Sequence, residues 1–197
     1  MRIPNQITTI CASKYYNVED MKRLYSQDIK HFGENRTDVF LTKYKSLKET
    51  PITWHFIGHL QRNKAKDVIP FIDYLHTLDS LKLAKVIQKT RIQPLKCFIQ
   101  VNATEEPQKY GVFLKDVTSF YNELKKYDKI QVVGLMTMGK LDDEDETRRA
   151  FHACSKLNQS LSLPFLSMGM TDDYQIAIEE GTTHLRLGRY FKQFLEG

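Results

Sequence analysis

The chain is short of the features that most specialised architectures require. Its three cysteines, Cys11, Cys97 and Cys154, are far apart, odd in number and contain no CxxC pair. That argues against a disulfide framework or a cysteine-based zinc site and fits a reducing cytosol. Six prolines and nine glycines are dispersed over 197 residues, so no Pro/Gly/Ser-rich linker divides the chain, and no low-complexity tract or sequence repeat interrupts it. No apolar run approaches the length needed to cross a bilayer, and Met1 to Gln6 contain no apolar signal core. Charge of one sign is never concentrated. The 29 lysines and arginines outweigh 24 acids by a formal +5, but they are scattered as a solvated surface rather than gathered into a nucleic-acid arm. HExxH and GxSxG are both missing, which removes the usual metalloprotease and acyl-transfer readings. The remaining expectation is one soluble cytoplasmic domain over residues 1–197, long enough to bury a full core.

What is present is a rhythm. Short, nearly continuous apolar runs occur at Ile7–Ala12, Ile29–Phe32, Thr53–Ile57, Tyr74–Leu78, Leu95–Val101, Ile130–Leu135, Leu163–Leu166 and Thr183–Leu187, as in strands buried on both faces. Helical patterns lie between them. Asn17 reads as the N-cap of a helix with Glu19 and Asp20 in its first turn, and Ser80 caps another. Asp142 to Ser160 carries a stripe of Ala150, Phe151, Cys154 and Leu157. Thr171 opens a seventh helix ending at Gly181, a C′ glycine, and a last one spans Tyr190 to Leu195. Eight strands alternating with eight helices predict parallel βα units closed into a (β/α)8 TIM barrel, with a doubly wound open sheet as the alternative. The chain is short beside the ~250 residues typical of barrels, so its loops are lean.

A barrel's chemistry sits at the C-terminal ends of its strands. Here those ends are rich in small and polar residues and poor in paired acids. Ser167 offers a hydroxyl after strand seven, Gly169 lets backbone N–H groups approach an anion, and Gly188-Arg189 makes a second glycine turn after strand eight. Those are the loops in which barrels commonly hold phosphate. Asp172 and Asp173 are read as caps of the intervening helix. Lys14 follows strand one with the parity of Ile10 and Ala12, and Arg186 belongs to the neighbouring strand eight, so both can reach one ligand. A lysine shielded from water beside an arginine presents a free amine that attacks aldehydes. The plainer alternatives are a surface lysine and an ion-paired arginine. His55 and His59 do not make a zinc pair across Gly58. His31, His76 and His184 read as satisfied core or rim histidines, and Trp54 and Phe56 as strand core. Met136, Met138, Met168 and Met170 read as adaptable packing able to wall an aromatic ligand.

In order along nearly the whole chain, Ser13-Lys14, His31-Phe32-Gly33-Glu34-Asn35, Trp54 to Lys64 (WHFIGHLQRNK), Gly134 to Met138, Leu166 to Asp173 (LSMGMTDD) and Leu185 to Gly188 resemble the YggS/PROSC family of pyridoxal phosphate homeostasis proteins. The resemblance implies a single barrel like the N-terminal domain of alanine racemase, the fold type III arrangement. It implies pyridoxal 5'-phosphate (PLP) held by Lys14 as a Schiff base. It further implies phosphate at Ser167, Gly169, Gly188 and Arg189, Arg186 facing the pyridine ring or phosphate, and Asn35, His55 and Met136 lining the ring, with Met168 beside them. The chain departs from the family in three places. Only six residues precede Ile7, where relatives carry a helix. Tyr15-Tyr16 replaces a common Thr-Lys-Pro, and Arg189 stands in place of a hydroxyl residue.

Three functions follow from this resemblance and from the strand ends. The favoured one is a carrier or regulator in PLP homeostasis, a monomer that meets apo-PLP enzymes transiently. The second is a racemase or decarboxylase. Fold type III enzymes add a β-domain that 197 residues cannot also encode, and an arginine at the pyridine nitrogen suits a strongly electron-withdrawing ring poorly. The third is a phosphosugar isomerase using the same lysine and phosphate loops.

Overall fold

The computed structural model describes residues 3–196. Eight parallel strands close into a barrel: β1 (Thr8–Ala12), β2 (His31–Glu34), β3 (Thr53–Phe56), β4 (Tyr74–Leu78), β5 (Leu95–Asn102), β7 (Ile130–Met136), β8 (Phe165–Ser167) and β9 (His184–Leu187). The order runs β4-β3-β2-β1-β9-β8-β7-β5, and the pairing of β4 with β5 closes the ring. An open doubly wound sheet is thereby excluded. A two-residue strand not expected from the sequence, β6 (Val112–Phe113), pairs with Val101 and Asn102 and lies outside the barrel. Around it run α1 (Val18–Ser26), α2 (Thr37–Ser46), α3 (Arg62–Val68), α4 (Leu81–Thr90), α5 (Val117–Leu124), α6 (Glu144–Ser160) and α7 (Tyr174–Glu179). A 3-10 turn over Arg189–Phe194 takes the eighth helical place.

Strand parity divides the interior into two layers. Phe32, Trp54, Phe56, Leu75, Leu135 and Leu185 face outward into one continuous core with the helices. The alternate positions face the lumen, where Phe98, Val133 and Met136 pack with Tyr74 and Phe165. Polar lumen positions accompany them: His55 and His76 on β3 and β4, Ser167 on β8, and His184 and Arg186 on β9, all buried.

Caps explain where the elements begin and end. Asn17 accepts from the backbone of Asp20 while Asp20 accepts from the backbone of Asn17, a reciprocal capping box. Ser80 caps α4 through Leu83 N–H. Gly181, at φ +87°, ends α7 in a Schellman motif, with Thr182 N–H on Ala177 O. The same motif moves two strands from their expected positions. Asp28 (φ 67°) and Ser162 (φ 54°) occupy the left-handed position after α1 and α6. Ile29 and Leu163 then donate back to Leu24 and Asn158. Both are apolar residues that finish a helix, which is why β2 starts at His31 rather than Ile29 and β8 at Phe165 rather than Leu163. The seventh helix likewise starts at Tyr174, not Thr171, because Asp173 turns its carboxylate onto Met170 N–H at 2.6 Å.

Close approach of β7 to β8 demands a missing side chain at Gly134. A Cβ there would lie 2.0 Å from the Phe165 carbonyl oxygen. Gly134→Ala is expected to cost about 3 kcal/mol through overpacking of this pairing, read as a lower urea midpoint at unchanged m-value.

Candidate ligand site at the barrel mouth

Lys14 sits in a 3-10 turn, Ser13–Tyr15, that follows β1 directly. Two straps fix that turn. On one side Lys43 of α2 donates to the Ser13 carbonyl at 2.7 Å and to Glu34 Oε1 at 2.5 Å, while Ser13 Oγ lies 2.8 Å from the same carboxylate. Glu34 is fully buried and Lys43 nearly so, so this is an ion pair in a low-dielectric setting, satisfied by hydrogen bonds. On the other side the Tyr16 hydroxyl donates to the Gly188 carbonyl at 2.7 Å. That bond joins the turn after the first strand to the turn after the last.

Lys14, Asn35, Met136, Arg186, Gly188 and Arg189 line one cavity of about 430 Å³ at the strand C-termini, within the size range of small-molecule sites. The β1–β9 register places Ile10 opposite Arg186, so lysine and arginine arise from adjacent strands as expected. Lys14 is exposed at the mouth, its Nζ 4.9 Å from the Tyr15 ring centroid. That corrects the expectation of a shielded amine: the 3-10 turn carries Lys14 above the rim instead of continuing the strand inward. Arg189 is exposed and pairs with Asp172 at 3.1 Å.

Four expected site residues lie elsewhere. Met168 is buried in the outer core. Gly169, at φ +94°, lies where a Cβ would be 2.6 Å from Ala177 and 2.7 Å from Leu185, so it lets α7 pack on β9. Ser167 and His55 are buried in the lumen beneath the cavity. Ser167 Oγ is 2.7 Å from Arg186 Nη1 and 2.9 Å from His76 Nδ1.

Arg186 forms the floor. It is buried, and burial pushes its guanidinium down to about 10, an effect that the charge of Asp173 partly offsets. Its two acceptors are neutral, Ser167 Oγ and the Thr137 carbonyl at 3.1 Å. The expected alternative of a structural ion pair is therefore not what holds it.

Sequence reasoning passed over several further wall residues, Thr77, Gln100 and Tyr110, while Met138, read as able to wall a ligand, does line the cavity. Tyr110 lies in the loop between β5 and β6, stacks on His59 with ring centroids 3.7 Å apart, and anchors through its carbonyl to Gln100 Nε2 at 3.2 Å. Nothing in the periodicity of residues 103–111 marks it, because the loop's placement depends on the β5–β6 pairing.

The fold is a closed (β/α)8 barrel with a cavity at its mouth, the class represented by the N-terminal half of alanine racemase. A family model described as the alanine racemase N-terminal domain matches residues 13–191. The alanine racemase of Corynebacterium glutamicum shares the fold at TM-score 0.66 and 15% identity, covering 95% of this chain and 55% of its own. The pyridoxal phosphate homeostasis protein of Aquifex aeolicus is 36% identical over 187 residues, 90% of this chain and 82% of the relative. PipY of Synechococcus elongatus superposes at TM-score 0.88 and 30% identity over 100% of this chain and 95% of PipY in its form without PLP. Its form with PLP bound gives 0.86 at 28% identity, with the same coverage. The chain belongs to the family of pyridoxal phosphate homeostasis proteins.

Proposed function

We propose that this protein binds PLP in the mouth cavity and serves PLP homeostasis as a carrier rather than as an enzyme. The observation that carries the reading is a buried guanidinium, Arg186, whose hydrogen-bond acceptors among the described residues are neutral, facing a cavity whose rim bears a primary amine, Lys14. A buried charge without a directly bonded counter-ion is costly, and an anionic or strongly polar ligand relieves that cost. PLP would supply an aldehyde to react with an amine and a phosphate to take up positive charge. Lys14 would hold the group through its amine nitrogen. Arg186 holds the ring or phosphate at the floor. Gly188 and Arg189 border the anion side, where Arg189 exchanges Asp172 for the ligand. Asn35 and Met136 flank the ring. His55, Ser167, Met168 and Gly169 act from behind the wall.

The mouth favours exchange over catalysis. Lys14, Tyr15, Asn35 and Arg189 are exposed, whereas PLP enzymes close water out of the reacting centre. A carrier needs a mouth open to solvent, through which a bound cofactor could leave. Among the described residues no helix is long and apolar enough to cross a membrane. We infer one cofactor-binding barrel domain working as a cytoplasmic monomer that meets apo-PLP enzymes transiently.

The test is borohydride reduction after adding PLP, followed by peptide mass spectrometry. A single phosphopyridoxyl adduct on Lys14, abolished in Lys14→Ala, is expected. An adduct that maps to another lysine, or persists in the variant, sinks the reading. Racemisation or decarboxylation of any amino acid by the loaded protein would replace the carrier with an enzyme.

A further inference from the structure

Three imidazoles cross the lumen in a row beneath the cavity. His31 Nδ1 is 2.9 Å from His55 Nε2, His55 Nδ1 is 2.9 Å from His76 Nε2, and His76 Nδ1 is 2.9 Å from Ser167 Oγ. Ser167 Oγ receives Arg186 Nη1 at 2.7 Å. The row thus begins at the partly exposed His31 on β2, passes β3 and β4, crosses to β8, and ends on the guanidinium at the floor.

The direction of every hydrogen in the row follows from one residue. Arg186 can only donate, so Ser167 Oγ accepts from it. Ser167 is fully buried, and among the described residues His76 Nδ1 is the one other side-chain atom bonded to its hydroxyl. If His76 also donated, the serine hydrogen would be buried without an acceptor, which costs about 1–3 kcal/mol. Ser167 therefore donates to His76 Nδ1. His76 then carries its hydrogen on Nε2 and donates to His55, which does the same to His31. Each ring turns its lone pair toward Arg186 and its N–H away.

We propose that this row is the positioning device for Arg186: oriented neutral imidazoles stand in for a carboxylate, holding the guanidinium at the cavity floor and leaving its charge free for an anionic ligand. A carboxylate in that place would neutralise Arg186 and compete with the ligand. Aligned dipoles stabilise the cation without doing so, and hydrogen bonds in a chain polarise one another. Stacking fixes the rings in plane. Tyr74 lies on His55 at 4.6 Å and 7°, and Phe98 on His76 at 4.4 Å and 23°. Such clamping suits a defined polarity better than general core filling, which the neighbouring Val133 and Phe165 already supply.

The titratable groups around the row are Asp73 beside His31, Lys96 and His184 near His55, His184 beside His76, and Asp173 near Arg186. His184 is itself tied through Nδ1 to Thr183 Oγ1 at 2.8 Å. Burial holds His31, His55 and His76 below the ordinary histidine range, so the row is neutral at pH 7.

The inference concerning ligand binding rests on PLP occupying the cavity; the hydrogen polarity does not. Nitrogen-15 NMR of the full chain without PLP reads the polarity directly. Protonated Nε2 and bare Nδ1 are expected in all three rings at pH 7, and any Nδ1–H or cationic ring overturns the proposal. PLP titration then reads the function. His76→Asn puts an amide oxygen where Nδ1 stood and still accepts from Ser167, whereas His76→Phe cannot. His76→Phe is expected to weaken PLP binding about tenfold to a hundredfold, with His76→Asn within about threefold of the unaltered protein. Equal losses in both variants, or no loss in either, overturn it. If the unaltered protein takes no PLP, the cofactor reading fails while the NMR result still decides the row.

Discussion

Lys43→Met is expected to destabilise the protein by about 3–5 kcal/mol, the cost of stranding a buried charge, here Glu34, without its partner. Glu34 is fully buried and Lys43 retains only 8% of its exposure, so water cannot repair the loss. Urea unfolding at pH 7 measures it, and a cost below about 1 kcal/mol would show that the pair is already solvated. A second variant separates stability from positioning. Glu34→Leu with Lys43→Met removes both charges, and apolar replacement of a buried pair is often neutral or stabilising, so most of the stability should return. The Ser13 carbonyl and hydroxyl nevertheless lose Lys43 and Glu34. The turn that presents Lys14 stays loose, and the yield of reduced PLP adduct should remain low in a protein that is otherwise sound.

Acid should destabilise this protein early, from pH 6.5 downward. Burial lowers His55 and His76 well below 6.5 and His184 to about 4. A histidine depressed in the folded state binds its proton on unfolding. Its contribution is therefore whole above pH 6.5 and is lost as the pH falls toward the folded value. At pH 5 His184 alone costs about 2 kcal/mol, since each tenfold change in proton affinity between the folded and unfolded chain is worth about 1.4 kcal/mol, and His55 and His76 add to it in the same direction. Against total stabilities of about 5–15 kcal/mol that is a large share. Urea midpoints measured from pH 7.5 to 5 should fall steeply below 6.5. A flat profile over that range would mean that these rings are charged or solvated in the folded state.

The barrel was legible because it is written in period-two and period-3.6 patterns that local residues specify, down to the N-cap at Asn17 and the C′ glycine at Gly181. The pairing of Lys14 with Arg186 was legible because parity and barrel order alone bring their strands together. Other features depend on tertiary placement that no local pattern encodes. Ile29 and Leu163 resemble strand starts because a Schellman motif also wants an apolar residue just past the helix. Gly169 resembles an anion loop because packing α7 onto β9 needs the same absent side chain. Ser167 resembles a phosphate ligand, yet its hydroxyl is spent on Arg186 and His76. The histidines could be read individually as satisfied, but that they satisfy one another required three strands to be placed at 2.9 Å contacts across the lumen.

Lys14 and Arg186 are separated by nearly the entire polypeptide, and they become neighbours through the seam between β1 and β9. The Tyr16–Gly188 bond and the grip of Arg23 on the Leu195 carbonyl at 2.9 Å sew that seam from outside. Contacts of such long sequence separation form late, after loop-closure entropy has been met. A chain emerging from the ribosome therefore has its lysine long before it has its arginine. The floor and the rim of the cavity therefore come together only when β9 docks on β1.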